Sequence, residues 1–280
     1  MHIEKHNYTK KNILIKIFDF YVFSNLHVAL SAFLLVKITL LNIGISTNTT
    51  SWLVFFSTLL SYNIIRFLRL SSIDNWYNKW IENNKNLLYM LSVISFIAII
   101  YLVFQFRLKA LFVLFPFAIA TIFYVFPLEK YSLRNIAGLK LFLIAFSWAG
   151  ITVLFPLTQN YINPRIVDYI TFLQRFLFIV VITIPFDIRD LEYDNDKLKT
   201  LPQQFKIKKT KNFAYLLLIS FFILELFKPI LEQHILSTLV ITLISGVLLK
   251  YSSDKQSKYY SAFFVEALPI VWFLLFFFSL

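Results

Sequence analysis

Residues 185–202 read Pro-Phe-Asp-Ile-Arg-Asp-Leu-Glu-Tyr-Asp-Asn-Asp-Lys-Leu-Lys-Thr-Leu-Pro. They follow an apolar run, precede a basic one, and hold five of the chain's 15 acids: Asp187, Asp190, Glu192, Asp194 and Asp196. If the apolar helix continues through them, Asp187, Asp190 and Asp194 stand at i, i+3 and i+7 and share a face. Three converging carboxylates repel one another unless a cation neutralises them. Mg²⁺ suits the arrangement, because it binds through one or two carboxylates plus phosphate oxygens and keeps some water. Arg189, Lys197 and Lys199 supply positive charge for more phosphate. The competing reading is a solvated, charged cap at the end of a membrane helix.

The rest of the chain decides what kind of helix precedes this stretch. It is 59% hydrophobic with 33 Phe, and its mean hydropathy is +0.70. Charged residues make up 15%, against about a quarter in soluble domains. The composition is that of an all-α, polytopic membrane protein. With no Cys there is neither a disulfide framework nor a thiolate metal site, and His2, His6, His27 and His234 have no ligand spacing. Zinc, haem and iron–sulfur clusters have no support. Lys5, Lys10, Lys11 and Lys16 precede the first apolar segment without a small-residue cleavage site, so a retained first helix is expected rather than a signal peptide.

Nine apolar runs reach spanning length, near 17–36, 52–70, 87–105, 108–126, 136–157, 168–186, 213–229, 235–250 and 262–280. Assigned to alternate sides, 21 Lys and Arg fall on one side and five on the other, with Arg175 inside the sixth run. The positive-inside rule then places the basic side, including residues 187–212, in the cytoplasm of a bacterial-type inner or plasma membrane. The N-terminus is expected inside and the C-terminus opposite. The net charge of +12 is accounted for by topology and anionic lipid, leaving no case for nucleic acid as a partner. One transmembrane domain over 1–280 is expected, with a cytoplasmic tail 1–16 and cytoplasmic loops 71–86, 127–135, 187–212 and 251–261.

Arg189-Asp190-Leu191-Glu192-Tyr193-Asp194, followed by Lys199-Thr200-Leu201-Pro202, resembles the second Asp-rich motif of the UbiA superfamily of membrane-intrinsic prenyltransferases and the Thr-Leu-Pro that trails it. Tyr124-Val125-Phe126-Pro127 with Lys130 is similar to the family's Tyr-x-x-Pro segment, and Lys140 and Trp148 fit loosely. The resemblance implies a nine-helix UbiA-like bundle and a transferase that moves an isoprenoid group from a prenyl diphosphate to a lipophilic acceptor, aromatic or quinone-type. It implies Mg²⁺ held by Asp190 and Asp194 with Asp187 assisting. It further implies Asn63 as a catalytic position and Arg189, Lys130, Arg66, Tyr124 and Lys197 as substrate-binding residues.

The first motif departs from the family. Where Asn-Asp-x-x-Asp-x-x-x-Asp is expected, the chain reads Tyr62-Asn63-Ile64-Ile65-Arg66-Phe67-Leu68-Arg69-Leu70-Ser71. Asn63 matches, but Phe67 and Ser71 stand where carboxylates belong, and Asp74 and Glu82 are out of register. Losing one set removes a cation's worth of leaving-group stabilisation. Arg66 and Arg69 either replace it as fixed charges or are ordinary inside-face anchors. The alternative to an enzyme is thus a non-catalytic UbiA-like binding or transport protein. Polar residues within the runs are functional suspects or interhelical bonds. His27 with Asn25 either lines an acceptor pocket or serves packing. Arg175 and Glu225 are expected to pair, and Glu266 either faces the chamber or snorkels.

Overall fold

The computed structural model describes residues 2–68, 76–125, 139–192, 200–230 and 234–279, and among them it is all-helical. The helices are α1 (His2–Phe23), α2 (Leu26–Asn42), α3 (Thr49–Leu68), α4 (Trp76–Asn83), α5 (Lys85–Val103) and α6 (Leu108–Val125). They continue with α7 (Leu139–Ala149), α8 (Phe155–Gln159), α9 (Ile166–Arg189), α10 (Leu201–Leu226), α11 (Ile235–Tyr251) and α12 (Leu268–Phe277). A π-helical turn, Gly150–Leu154, joins α7 to α8, and another, Tyr260–Val265, leads into α12.

The described residues of each expected apolar run are largely helical, and by length and apolarity alone the described helices do not account for nine spans. Among the described residues five helices are long and apolar enough to cross a membrane, or six if the pair Ile13–Phe23 and Leu26–Asn42, bent by 54°, is one span. Leu108–Thr121 and Ile235–Tyr251 are shorter apolar helices. The first half of α10 carries Lys206, Lys208, Lys209 and Lys211, and Lys206 breaks its helical backbone with φ 61°. The first run is broken at Asn25, whose φ of 71° is left-handed, a conformation that Asn tolerates better than most residues.

Packing closes the helices into a ring. α2 packs on α3, α3 on α5, α6 on α7, α7 on α9, α9 on α10, α10 on α11, α11 on α12, and α12 returns to α2. The α5–α6 turn is fastened to the end of α8: the Arg107 backbone N–H donates to Gln159 Oε1 at 3.2 Å and its guanidinium to the Thr158 carbonyl at 3.3 Å. The interior holds Phe178, Phe221 and Trp272 in mutual ring contact. Large apolar side chains such as Ile97, Phe112, Leu216 and Leu243 point outward, as they do when the surroundings are lipid rather than water.

The packing at the π turn depends on one glycine. A Cβ on Gly150 would lie 2.2 Å from the Phe117 ring, so α6 can approach the π turn only because nothing projects there. Gly246, on α11, has its nearest neighbour at 3.8 Å. Gly150→Ala is therefore expected to destabilise by about 1–3 kcal/mol through overpacking, whereas Gly246→Ala should be neutral or gain up to about 1 kcal/mol from helix propensity. Thermal unfolding of the detergent-purified variants, followed by circular dichroism, checks both.

Candidate functional site

The ends of α3, α9 and α11 and the starts of α5, α7, α10 and the last π turn come together at one end of the ring, and of the residues singled out from the sequence Asn63, Arg66, Asp187, Arg189 and Asp190 lie there. α9 does not continue through the acidic stretch. It stops at Arg189, and Asp190–Glu192 form a 3₁₀ turn, so the α-helix that was expected to carry Asp187, Asp190 and Asp194 on one face ends before Asp190, and Asp194 lies outside the described residues. Asp187 is buried, and Lys140 Nζ, from the start of α7, donates to its Oδ1 at 3.1 Å. Asp190 turns to its neighbour: Arg189 Nε and Nη2 donate to its two oxygens at 2.7 and 3.0 Å. This bidentate pair is about one-third exposed and contributes little to stability.

The remaining candidates divide. Asn63 is buried at the break between α1 and α2, where its Oδ1 accepts from Asn25 Nδ2 at 2.6 Å and its Nδ2 donates to Ser92 Oγ, on α5, at 3.3 Å. Arg66 closes the same break, donating to the Phe23 carbonyl at 2.8 Å and lying 4.7 Å from the centre of the Tyr77 ring. Phe67, in the place of a motif carboxylate, stacks on Tyr89 with ring centres 4.5 Å apart. The side chain of Tyr124, and Lys130, Asp194 and Lys197 altogether, lie outside the described residues, as do Arg69, Ser71 and Asp74.

Glu266 belongs to this end as well. It directly follows the π turn, which is held on both sides. His27 Nε2 donates to the Phe263 carbonyl at 3.0 Å, Ser31 Oγ to the Glu266 carbonyl at 2.5 Å, and Gln256 Nε2 to Ser261 Oγ at 2.6 Å and the Pro185 carbonyl at 3.0 Å. The charges of Arg66 and Arg189 act on the Glu266 carboxylate, and its own charge acts on the Tyr21 hydroxyl. Because a carbonyl can only accept, His27 carries its proton on Nε2. Its Nδ1 therefore accepts from the Tyr21 hydroxyl at 2.8 Å. The sequence flagged Glu266 and His27 as acid and imidazole within apolar runs, but nothing in their spacing, 239 positions apart, placed them together.

A divalent cation does not find a ready set of donors here. Among the described residues no three His, Cys, Asp or Glu side chains are grouped to hold a metal, and Asp187 and Asp190 are each matched by a basic side chain. At the opposite end the expected Arg175–Glu225 pair is not formed. Glu225 is taken by Lys228, one turn away, at 2.9 Å, by Gln174 at 2.9 Å and by the His234 backbone N–H at 2.6 Å. Arg175 instead donates to the Leu35 carbonyl at 3.1 Å and lies 4.7 Å from the centre of the Trp272 ring.

The site and ring define an integral membrane helical bundle with a charged, partly buried centre at one end. Its fold is that of a solved membrane prenyltransferase, a digeranylgeranylglyceryl phosphate synthase. The two match with a TM-score of 0.57 over 93% of this chain and 97% of the other, at 18% sequence identity. At this identity the likeness is one of fold, shared over nearly the whole chain. No family model matches the sequence, and no curated protein does either.

The Lys140–Asp187 pair gives a direct test of the site's construction. Lys140→Met leaves a buried carboxylate without its cation and is expected to lower stability by about 3–5 kcal/mol. Adding Asp187→Asn should recover most of that loss. Unfolding midpoints in detergent for both single variants and the double variant measure the coupling, and an equal loss in the single and double variants would show that the pair is not what matters.

Proposed function

We propose that the chain is a UbiA-type integral membrane prenyltransferase, spanning the membrane nine times. It transfers an isoprenoid group from a prenyl diphosphate to a lipophilic acceptor of aromatic or quinone type. The observation that carries this reading is the fold shared with the synthase over nearly the whole chain, and it is supported by the meeting of Arg66, Lys140, Asp187, Arg189 and Asp190 at one end of the ring. The basic side of the charge asymmetry lies at this end, which we read as cytoplasmic.

In this proposal Arg189 and Arg66, with Lys130 and Lys197, hold the diphosphate, Tyr124 flanks it, and Asn63 fixes the break against which its head rests. Arginine suits the task because its fork donates two hydrogen bonds to phosphate without a metal. Arg189 is released for phosphate by giving up Asp190, a pair exposed enough to exchange at small free-energy cost. Mg²⁺ remains part of the proposal through Asp190 and Asp194, on the strength of the motif resemblance. The described carboxylates do not by themselves form its site, and no step is assigned to the ion.

The second reading is a non-catalytic UbiA-like protein that binds or transports an isoprenoid lipid. It is favoured by the Phe67–Tyr89 stack where the first motif's carboxylate belongs. Calorimetric titration with farnesyl S-thiolodiphosphate, with and without Mg²⁺, separates the proposals. Mg²⁺-dependent binding that falls at least about tenfold in Asp190→Asn is expected of the metal-assisted enzyme. Equal binding in EDTA would remove Mg²⁺ from the proposal, and transport without transfer in vesicles would favour the second reading.

A further inference from the structure

We propose that Glu266 is the proton acceptor of the transfer, the group to which the lipophilic acceptor gives up its proton as the new bond forms. This rests on the prenyl-transfer reading. The reaction requires such a group. The bond from C1 of the prenyl chain to the diphosphate oxygen breaks, and its electron pair leaves on the diphosphate. The acceptor's oxygen or ring carbon bonds to C1, and the proton that atom releases must go to a base held away from bulk water.

The groups at this end of the ring narrow the choice. His27 is occupied at both nitrogens, Nε2 by donation to the Phe263 carbonyl and Nδ1 by the Tyr21 hydroxyl. Asp187 and Asp190 are matched by Lys140 and Arg189, and Asp19 by Lys258 and Tyr259. The arginines have no acceptor capacity. The Glu266 carboxylate has no hydrogen bond or ion pair among the described residues, yet it is partly buried and within electrostatic reach of Arg66 from α3, Arg189 from α9 and Tyr21 of α1.

Its position is built rather than incidental. π turns inside helices occur often at functional sites because they re-aim the residues that follow. This one is pinned by His27 and Ser31 from α2 and by Gln256, which also reaches α9. Two wholly buried polar atoms at the neighbouring break, Ser24 Oγ and Asn25 Oδ1, have no hydrogen-bond partner among the described residues, so polar capacity is left over at this break.

The test uses the full-length protein in lipid vesicles, with farnesyl diphosphate as donor and 4-hydroxybenzoate and 1,4-dihydroxy-2-naphthoate as acceptor probes. Glu266→Gln is expected to bind farnesyl S-thiolodiphosphate within about threefold of wild type, while its turnover falls by at least about 100-fold. The low-pH limb of the wild-type kcat profile should be absent from its residual activity, and Glu266→Asp should recover part of the rate. Wild-type turnover and pH profile in Glu266→Gln would overturn the proposal. So would loss of diphosphate binding in that variant, which would place Glu266 in the diphosphate site or the fold. Wild-type protein that transfers to neither probe would instead sink the prenyl-transfer reading, and the inference with it.

Discussion

In an apolar medium every interruption of a helix frees backbone and side-chain polar groups that water cannot reach, and each has to find a partner on a neighbouring helix. Among the described residues at one end of the ring such interruptions include the left-handed residue Asn25, the π turn Tyr260–Val265, and the stop of α9 at Arg189. The polar residues that repair them come from elsewhere in the chain. Asn63 and Arg66 of α3 close the first, His27 and Ser31 of α2 hold the second, and Lys140 of α7 secures the last turn of α9. Repairs that join distant helices also concentrate charge and hydrogen-bonding groups in one place, so the same constraint that stabilises the bundle assembles its polar centre.

Charge at that centre is divided between positions that are locked and positions that can move. Lys140 and Asp187 are mostly buried, with side-chain exposures of 15% and 4%. Separating two such charges leaves each unsolvated, which is far more costly than parting an exposed pair. Arg189 and Asp190 are about one-third exposed, where water and salt compete for both partners. An arriving anion would therefore draw Arg189 before it drew Lys140. Asp190, once released, is the acid free to take another cation, while Asp187 continues to hold α7 against α9.

Much of the fold was legible because the signals are long. The described residues of the nine apolar runs are largely helical, and of the residues expected to cluster Asn63, Arg66, Asp187, Arg189 and Asp190 lie at one end of the ring. What the sequence hid is physical in each case. Helical phase was extrapolated past Arg189, but the chain turns there and Asp190 no longer follows the face of Asp187. Arg175 and Glu225 were paired by depth in the membrane, yet Lys228 lies one turn from Glu225 and reaches it first. The π turn has no composition signal, and it decides where Glu266 points. Gly150 was one of four glycines, and only the approach of Phe117 shows why it cannot be larger.

The degenerate first motif is best understood with Glu266 in view. In a two-metal arrangement, carboxylates are needed in excess because they hold the cations that in turn hold the diphosphate. Here the position of one such carboxylate is Phe67, packed on Tyr89, and the fixed cation Arg66 stands one residue before it. A fixed guanidinium needs no carboxylate cage, so the acids around it are free for a different use. A single carboxylate poised near Arg66 and Arg189, but bonded to neither, feels their field without neutralising them. If, as proposed, a diphosphate takes up that positive charge and then departs with an added electron pair, the local field on Glu266 would become more negative and its affinity for a proton would rise. In that proposal leaving-group departure and proton uptake would be coupled through the two arginines, with the base strengthened at the step that demands it.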